Sequence, residues 1–349
     1  MPEPDISIPA AELTAFVEQI LRASGMPDGK AHLVADSLVA SNLRGVDSHG
    51  VQLVPDYFVQ IEAGEMIPEA CGHVISENGP CMVFHGENGV GQYIADICSN
   101  HAVRLAKAHG MSMVVARESN HFGAAAYWAQ KMAAAGQIGI VVCDASSIVA
   151  PWQGKQNRLG TNPICMAVPG PWLLDMATTT VAANKIYKAY RNGQTTIPPG
   201  WAMDADGVPT TDAATAIKGL IMPLGGYKGS GLAMMVEILC AVLSGGAMST
   251  ELGGLRIRGR MFRVNQAFLA IEIERFMPVA EFTRRVEHLV ELVKSAEPAA
   301  GYSEVLVAGD PEWRMEDERL RNGIPLGRGT WDSLVNLARK LQVAEPTLR

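Results

Sequence analysis

Apolar residues recur at helical spacing through the first sixty positions of the chain. Leu13, Phe16, Val17, Ile20 and Leu21 share one face of a helix over residues 11–24 that Gly25 closes. Leu33, Val34 and Leu38 mark a second helix over 28–43, and Leu53, Tyr57, Phe58 and Ile61 a third over 51–62. Beyond Pro68 helical and extended patterns alternate. Ile94, Ile97, Cys98 and Leu105 predict a helix, 113–116 a buried strand, 122–135 a helix and 138–143 another strand. Strands follow at 173–176 and 267–273, and helices at 181–191 and 231–243. Phe282, Val286, Leu289, Val290 and Val293 then form one apolar helical stripe. A strand over 304–307, a charged helix after Pro311 and a closing helix over 331–341 complete the pattern. Alternation of this kind predicts an α/β fold.

Length and composition narrow the classes. At 349 residues the chain exceeds the roughly 250 to 300 that one core usually serves, so two domains are expected. With 48% apolar and 19% charged residues it can bury a large core. A net charge of −7, with its basic residues scattered, argues against a nucleic-acid partner; Arg256-Ile257-Arg258-Gly259-Arg260 is the one basic cluster, read as a solvated loop or subunit contact. No apolar run reaches the ~18 to 20 residues of a membrane span, and the acidic, proline-bearing start lacks the pattern of a signal peptide. A cytoplasmic protein without a membrane partner is expected. Cys71, Cys81, Cys98, Cys143, Cys165 and Cys240 show no Cys-x-x-Cys spacing and read as small buried hydrophobes in a reducing compartment.

Five segments carry candidate chemistry. Asp47-Ser48-His49-Gly50 sets an imidazole beside two side chains able to fix its tautomer, although Asp and Ser are equally good helix caps. Ser119-Asn120-His121-Phe122-Gly123-Ala124-Ala125 follows a strand and opens a helix with small residues, which suits either a ligand or a plain capping turn. Gly225-Gly226-Tyr227-Lys228-Gly229 runs into an apolar helix and suits an anion, because backbone amides and helix dipole point the same way. Gly160-Thr161-Asn162-Pro163 and Asp175-Met176-Ala177-Thr178 are turn and cap residues that gain weight only in company. Asp204-Ala205-Asp206-Gly207 lacks the remaining ligands of a calcium loop and reads as a turn. No Gly-x-Gly-x-x-Gly follows a strand, no Gly-x-Ser-x-Gly elbow is present, and the histidines lack metal-ligand spacing, so an ordinary Rossmann site, a serine hydrolase and a catalytic metal are not expected.

Taken in order along the chain, Asp47-Ser48-His49-Gly50, Asn120-His121-Phe122-Gly123, Gly160-Thr161-Asn162-Pro163, Asp175-Met176-Ala177-Thr178, Gly226-Tyr227-Lys228-Gly229 and Gly323-Ile324-Pro325-Leu326 resemble the malate/L-lactate dehydrogenase family that lacks a Rossmann fold. The resemblance covers nearly the whole chain. It implies a mixed-sheet α/β domain holding NAD or NADP, over 76–303, and a discontinuous helical domain over 1–75 completed by 304–349. It implies hydride transfer between the cofactor and C2 of a 2-oxo or 2-hydroxy acid, and a homodimer with the site near its interface.

By the same resemblance, His49 steadied by Ser48, or else His121, supplies the proton, and Thr161 and Lys185 contact substrate. His121, Phe122, Gly123, Ala124, Ala125, Asp175, Met176, Ala177, Lys228 and the turn Gly309-Asp310-Pro311-Glu312 line the cofactor. Leu53 stands where many members carry a carboxylate-clamping arginine, so either another cation binds the acid or the substrate differs in its second end, which favours an apolar or aromatic 2-oxo acid over a dicarboxylate. Alternatives are a ketimine reductase of the piperideine-2-carboxylate type, against which Lys185 counts, and a catalytically silent small-acid-binding protein.

Overall fold

The computed structural model describes residues 6–191 and 193–346, apart from the side chains of residues 184, 188 and 191. The chain starts in a three-residue strand, β1 (Ile6–Ile8), paired antiparallel with Ile324–Leu326 near its other end. Helices α1 (Ala10–Ala23) and α2 (Asp28–Leu43) follow, each begun after a proline; Gly25, at φ 92°, makes the turn between them. Two short 3₁₀ turns, Asp47–His49 and Val51–Leu53, lead into α3 (Val54–Glu62). These helices share one core with Ile324, Leu326, Trp331 and Leu334 from the far end of the sequence.

Strands β2 (His73–Asn78) and β3 (Cys81–His85) form a hairpin. Then come α4 (Gly91–His109), β4 (Met111–Ser119), α5 (Ala125–Ala134), β5 (Gln137–Cys143), β6 (Ile164–Ala167) and β7 (Leu173–Met176). A smaller unit follows: α6 (Ala183–Arg191), β8 (Ala202–Met203), β9 (Pro209–Thr210), α7 (Ala213–Ala216) and β10 (Leu220–Ile221), its three strands forming their own sheet around Val149, Ile186, Ile197 and Ile221. Helix α8 (Tyr227–Glu237) continues into a π turn over Ile238–Val242. The chain then forms β11 (Val264–Glu272), α9 (Val279–Lys294), α10 (Asp310–Asn322), β12 (Ile324–Leu326) and α11 (Arg328–Lys340).

The main sheet has seven strands in the order β2-β3-β4-β11-β5-β6-β7. Only β3 and β4 run parallel, joined by α4; every other pair is antiparallel. A sheet with one parallel pair has no doubly wound crossover and hence no Rossmann site. On one face α4 and α5 bury Ile94, Cys98, Trp128 and Met132 against Val114, Val141 and Phe268. On the other, Val236 and Cys240 of α8 and its π turn cover Val115, Val142 and Ala267.

Several local expectations change. Strands β1, β2 and β3 lie where none was expected, because β1 has only three residues and β2 is exposed at nearly every position, leaving no alternation to read. Residues 304–307 form no strand: Leu306 is exposed and no strand pairs with the segment. The apolar stripe of α9 leaves Leu289, Leu292 and Val293 exposed. Cys71 and Cys81 are exposed while the other four cysteines are buried, and all six are free. Asp204 accepts backbone bonds from Asp206 and Val208, each at 2.9 Å, so that segment is the expected turn.

Candidate active site

The 3₁₀ turn after α2 presents Ser48 and His49, and the link from β4 to α5 presents His121. Distant in sequence, the two imidazoles stack with ring centroids 5.7 Å apart and planes 22° from parallel. Ser48 Oγ lies 3.0 Å from Nδ1 of His49. Nδ1 of His121 accepts a 3.3 Å bond from the Gly123 N–H, so it carries no proton in the neutral ring and the hydrogen sits on Nε2. Tyr57 on α3 therefore donates its hydroxyl to that same Nδ1 at 2.7 Å, and Gln92 on α4 donates to the Tyr57 oxygen at 2.9 Å. Tyr57 and Gln92 are fully buried, which fixes the relay. Nε2 of each imidazole has no protein partner among the described residues.

Surroundings set the charge of the pair. Burial lowers the pKa of His49. It lowers that of His121 as well, to about 3, with repulsion from His49 and Arg256 adding to the effect. Both rings are thus neutral at pH 7. Burial also pushes the Tyr57 phenol well above its ordinary value, so it stays a hydroxyl.

A second network holds the His49 turn. Asn42, buried at the end of α2, donates to Asp47 Oδ1 at 2.6 Å and accepts from the Val51 N–H at 2.8 Å. Arg319 of α10 grips Asp47 through Nη1 at 2.6 Å and Nη2 at 3.1 Å, and also bonds the Asn42 carbonyl. Gly50 is required here because a Cβ would lie 2.2 Å from Asn42 Oδ1.

Beside the pair, His121 to Ala125 continue into α5, whose N-cap residue, Ala124, offers no side-chain cap. The Ala126 N–H donates 2.9 Å to Asp175, whose carboxyl burial raises to about 6. Arg44 acts electrostatically on that carboxyl; it is 7% exposed, lies 3.7 Å from Glu316, and leaves Nη1 and Nη2 without a hydrogen-bond partner. The turn 309–312 is brought alongside, since Leu173 N–H bonds the Ala308 carbonyl and Glu312 raises Asp175. Asp310 itself is engaged by Lys294 at 2.8 Å.

A backbone ladder joins the remaining motifs. The Thr161 carbonyl accepts from Thr178, the Thr178 carbonyl from Leu224, and the Leu224 carbonyl from Gly229. That sets Thr161 and the end of β7, with Met176 and Ala177, beside the glycine loop of Lys228. Lys185 and Lys228 are both exposed, and no hydrogen bond or ion pair among the described residues ties either to the histidines. Tyr57, Gln92, Asn42, Arg44 and Arg256 are site residues that sequence patterns did not single out for this role. Tyr57 read simply as a core position of α3.

Known proteins match the chain over nearly its whole length. The profile of the family described as malate/L-lactate dehydrogenase matches residues 8–335. Malate dehydrogenase of Pyrococcus horikoshii is 35% identical, the match covering 97% of this chain and 96% of that protein. L-sulfolactate dehydrogenase of Methanocaldococcus jannaschii is 35% identical over 93% of this chain and 94% of its own. The solved malate dehydrogenase of Entamoeba histolytica superposes with a TM-score of 0.94 at 29% identity, covering 98% of this chain and 100% of that one. With the mixed sheet, the paired imidazoles and these likenesses together, the chain belongs to the malate/L-lactate dehydrogenase family.

Proposed function

We propose that this protein is an NAD- or NADP-dependent oxidoreductase that moves a hydride between the nicotinamide and C2 of a 2-oxo or 2-hydroxy acid. The observation that carries this is the stacked His49–His121 pair, with both Nδ1 atoms engaged and both Nε2 atoms open, in a chain whose relatives are named dehydrogenases of such acids.

The residues fit the cofactor. Arg44 keeps a buried guanidinium short of acceptors, which suits an anionic dinucleotide, and the small residues Gly123, Ala124 and Ala125 would let it approach the start of α5. Phe122, Asp175, Met176, Ala177 and the turn Gly309-Asp310-Pro311-Glu312 would hold it along the same edge, and Lys228 in its glycine loop would meet a phosphate. When bound, the reduced nicotinamide supplies the hydride that adds to C2 of the acid.

The chain's own part is orientation and proton supply. As the C2 carbonyl bond becomes C–H and C–O⁻, the oxygen needs a proton, and His121 Nε2 delivers it. Tyr57 serves either state of that ring, donating to neutral Nδ1 and, once rotated, accepting from the imidazolium. A pKa depressed by burial rises when a carboxylate arrives, so the acid is loaded with substrate in place. His49, steadied by Ser48, orients the oxygen from the other side. Thr161 and Lys185 complete the substrate pocket.

We further infer a cytoplasmic homodimer. Tyr227, Met234, Ile238, Val242 and Leu243 are exposed along α8 and its π turn, an apolar strip that a second copy would cover. No helix of the described residues is long and apolar enough to cross a membrane. The test of function is direct: the protein is mixed with NADH and NADPH in turn, 2-oxo acids are added, and the nicotinamide absorbance is followed. Oxidation with at least one acid is expected. Cofactor binding without oxidation by any acid would instead support a silent sensor.

A further inference from the structure

The loop between the π turn and β11 folds back over α3. The Gly254 carbonyl accepts from Gln60 at 3.4 Å, and Glu65 accepts from the backbone of Gly259 and Arg260. These contacts seat Arg256 on the first turn of α3, where its Nε donates 3.1 Å to Asp56. Asp56 immediately precedes Tyr57, whose hydroxyl touches His121. Nη1 and Nη2 of Arg256 have no partner among the described residues, and the side chain is 60% exposed.

We propose that Arg256 is the carboxylate clamp of the active site: held by Asp56 through Nε, it offers its two free terminal nitrogens to the carboxylate of a 2-oxo monoacid bound against His49 and His121. This rests on the hydride-transfer reading above. A guanidinium fixed at one corner with its fork open matches a carboxylate bidentately, which an ammonium on a loose stem does not. Other cations are less well disposed. Arg258 also faces Asp56, at 3.8 Å, but spends Nη1 on the Leu255 carbonyl at 2.9 Å. Arg44 is buried beside Asp175, while Lys185 and Lys228 make no hydrogen bond or ion pair with the histidine pair among the described residues. Leu53 is buried in the helical core and 4% exposed, so it offers substrate nothing.

Arg256 also acts on catalysis through charge. Its charge helps to hold the His121 pKa low, so a carboxylate that neutralises it removes part of the repulsion against protonating that ring. Binding of the acid and loading of the proton are thereby linked, and a neutral ester of the same acid gains from neither.

The test compares wild type, Arg256→Ala, Arg256→Lys and Arg260→Ala, with pyruvate, phenylpyruvate and methyl pyruvate as substrates and oxamate as a non-reacting analogue. Reduced-nicotinamide affinity and melting temperature are measured alongside. Arg256→Ala is expected to raise KM for the acids and Kd for oxamate about 10- to 100-fold, the loss of one charge-assisted pair. It should erase the preference for pyruvate over its methyl ester, with cofactor affinity and melting temperature within error of wild type. Arg256→Lys should recover part of the loss, and Arg260→Ala should match wild type. Unchanged KM and unchanged acid-over-ester preference in Arg256→Ala, with wild type active, would overturn the clamp and leave the function standing. A wild type that neither turns over these acids nor binds oxamate with NADH or NADPH would remove both.

Discussion

Arg319 closes both nitrogens of its fork on Asp47, at 2.6 and 3.1 Å, across 272 residues of sequence. The C-terminal helix α10 thereby fixes the turn that presents His49. Arg319 is nearly buried while Asp47 is half exposed, so removing the guanidinium loses the paired bonds but leaves a carboxylate that water can reach. Arg319→Ala is expected to cost about 2 kcal/mol in urea unfolding, as for a charge-assisted hydrogen bond, and to lower kcat/KM by loosening His49. Unchanged stability and unchanged activity would remove Arg319 from the site.

Gly50→Ala tests the same turn sterically. Its backbone, at φ −94°, suits any residue, yet a Cβ would meet Asn42 Oδ1 at 2.2 Å. Asn42 is tied to Asp47, Val51 and Arg319 and has nowhere to retreat. Overpacking of about 1 to 3 kcal/mol is expected, read as a lower urea midpoint together with loss of turnover. A variant of wild-type stability would show that Asn42 can move.

Tyr57→Phe separates positioning from binding. It removes the donor to His121 and leaves the buried Gln92 amide without its acceptor. A fall of about tenfold in kcat is expected, on the scale of one lost hydrogen bond, with KM for the acid nearly constant and a displaced pH profile. A change in KM alone would make Tyr57 a packing residue.

How much of this was legible in the sequence follows from sequence distance. Ser48 and His49, or His121 and Gly123, are near neighbours, so their pairing shows as a motif. Tyr57 and His121 lie 64 residues apart and Gln92 and Tyr57 35 apart, and on their helices both Tyr57 and Gln92 look like ordinary interior positions. The long amphipathic helices and the central strands were readable because burial gave them a period. Strand β1 was not, since three residues hold no period and the register comes from β12 at the far end. Leu306 misled in the opposite sense, being apolar yet exposed.

Acid sensitivity should carry the signature of His121. Its folded pKa, about 3, lies below the unfolded value of 6.5, so the unfolded chain binds more protons between these limits. The neutral ring's contribution is therefore complete above pH 6.5 and is lost as pH falls toward 3. The slope from this group approaches at most ~1.4 kcal/mol per pH unit. Urea unfolding at a series of pH values should show a shallower acid limb in His121→Gln than in wild type; parallel limbs would mean the ring is not held neutral by the fold.

The central claim is that the stacked imidazoles serve one reacting carbonyl, with His121 giving the proton. Single-turnover oxidation of bound reduced nicotinamide by a 2-oxo acid, in wild type and His121→Asn, tests it most directly. A rate lower by about 10² to 10⁴ with cofactor affinity retained is predicted; a variant that turns over at the wild-type rate would contradict it.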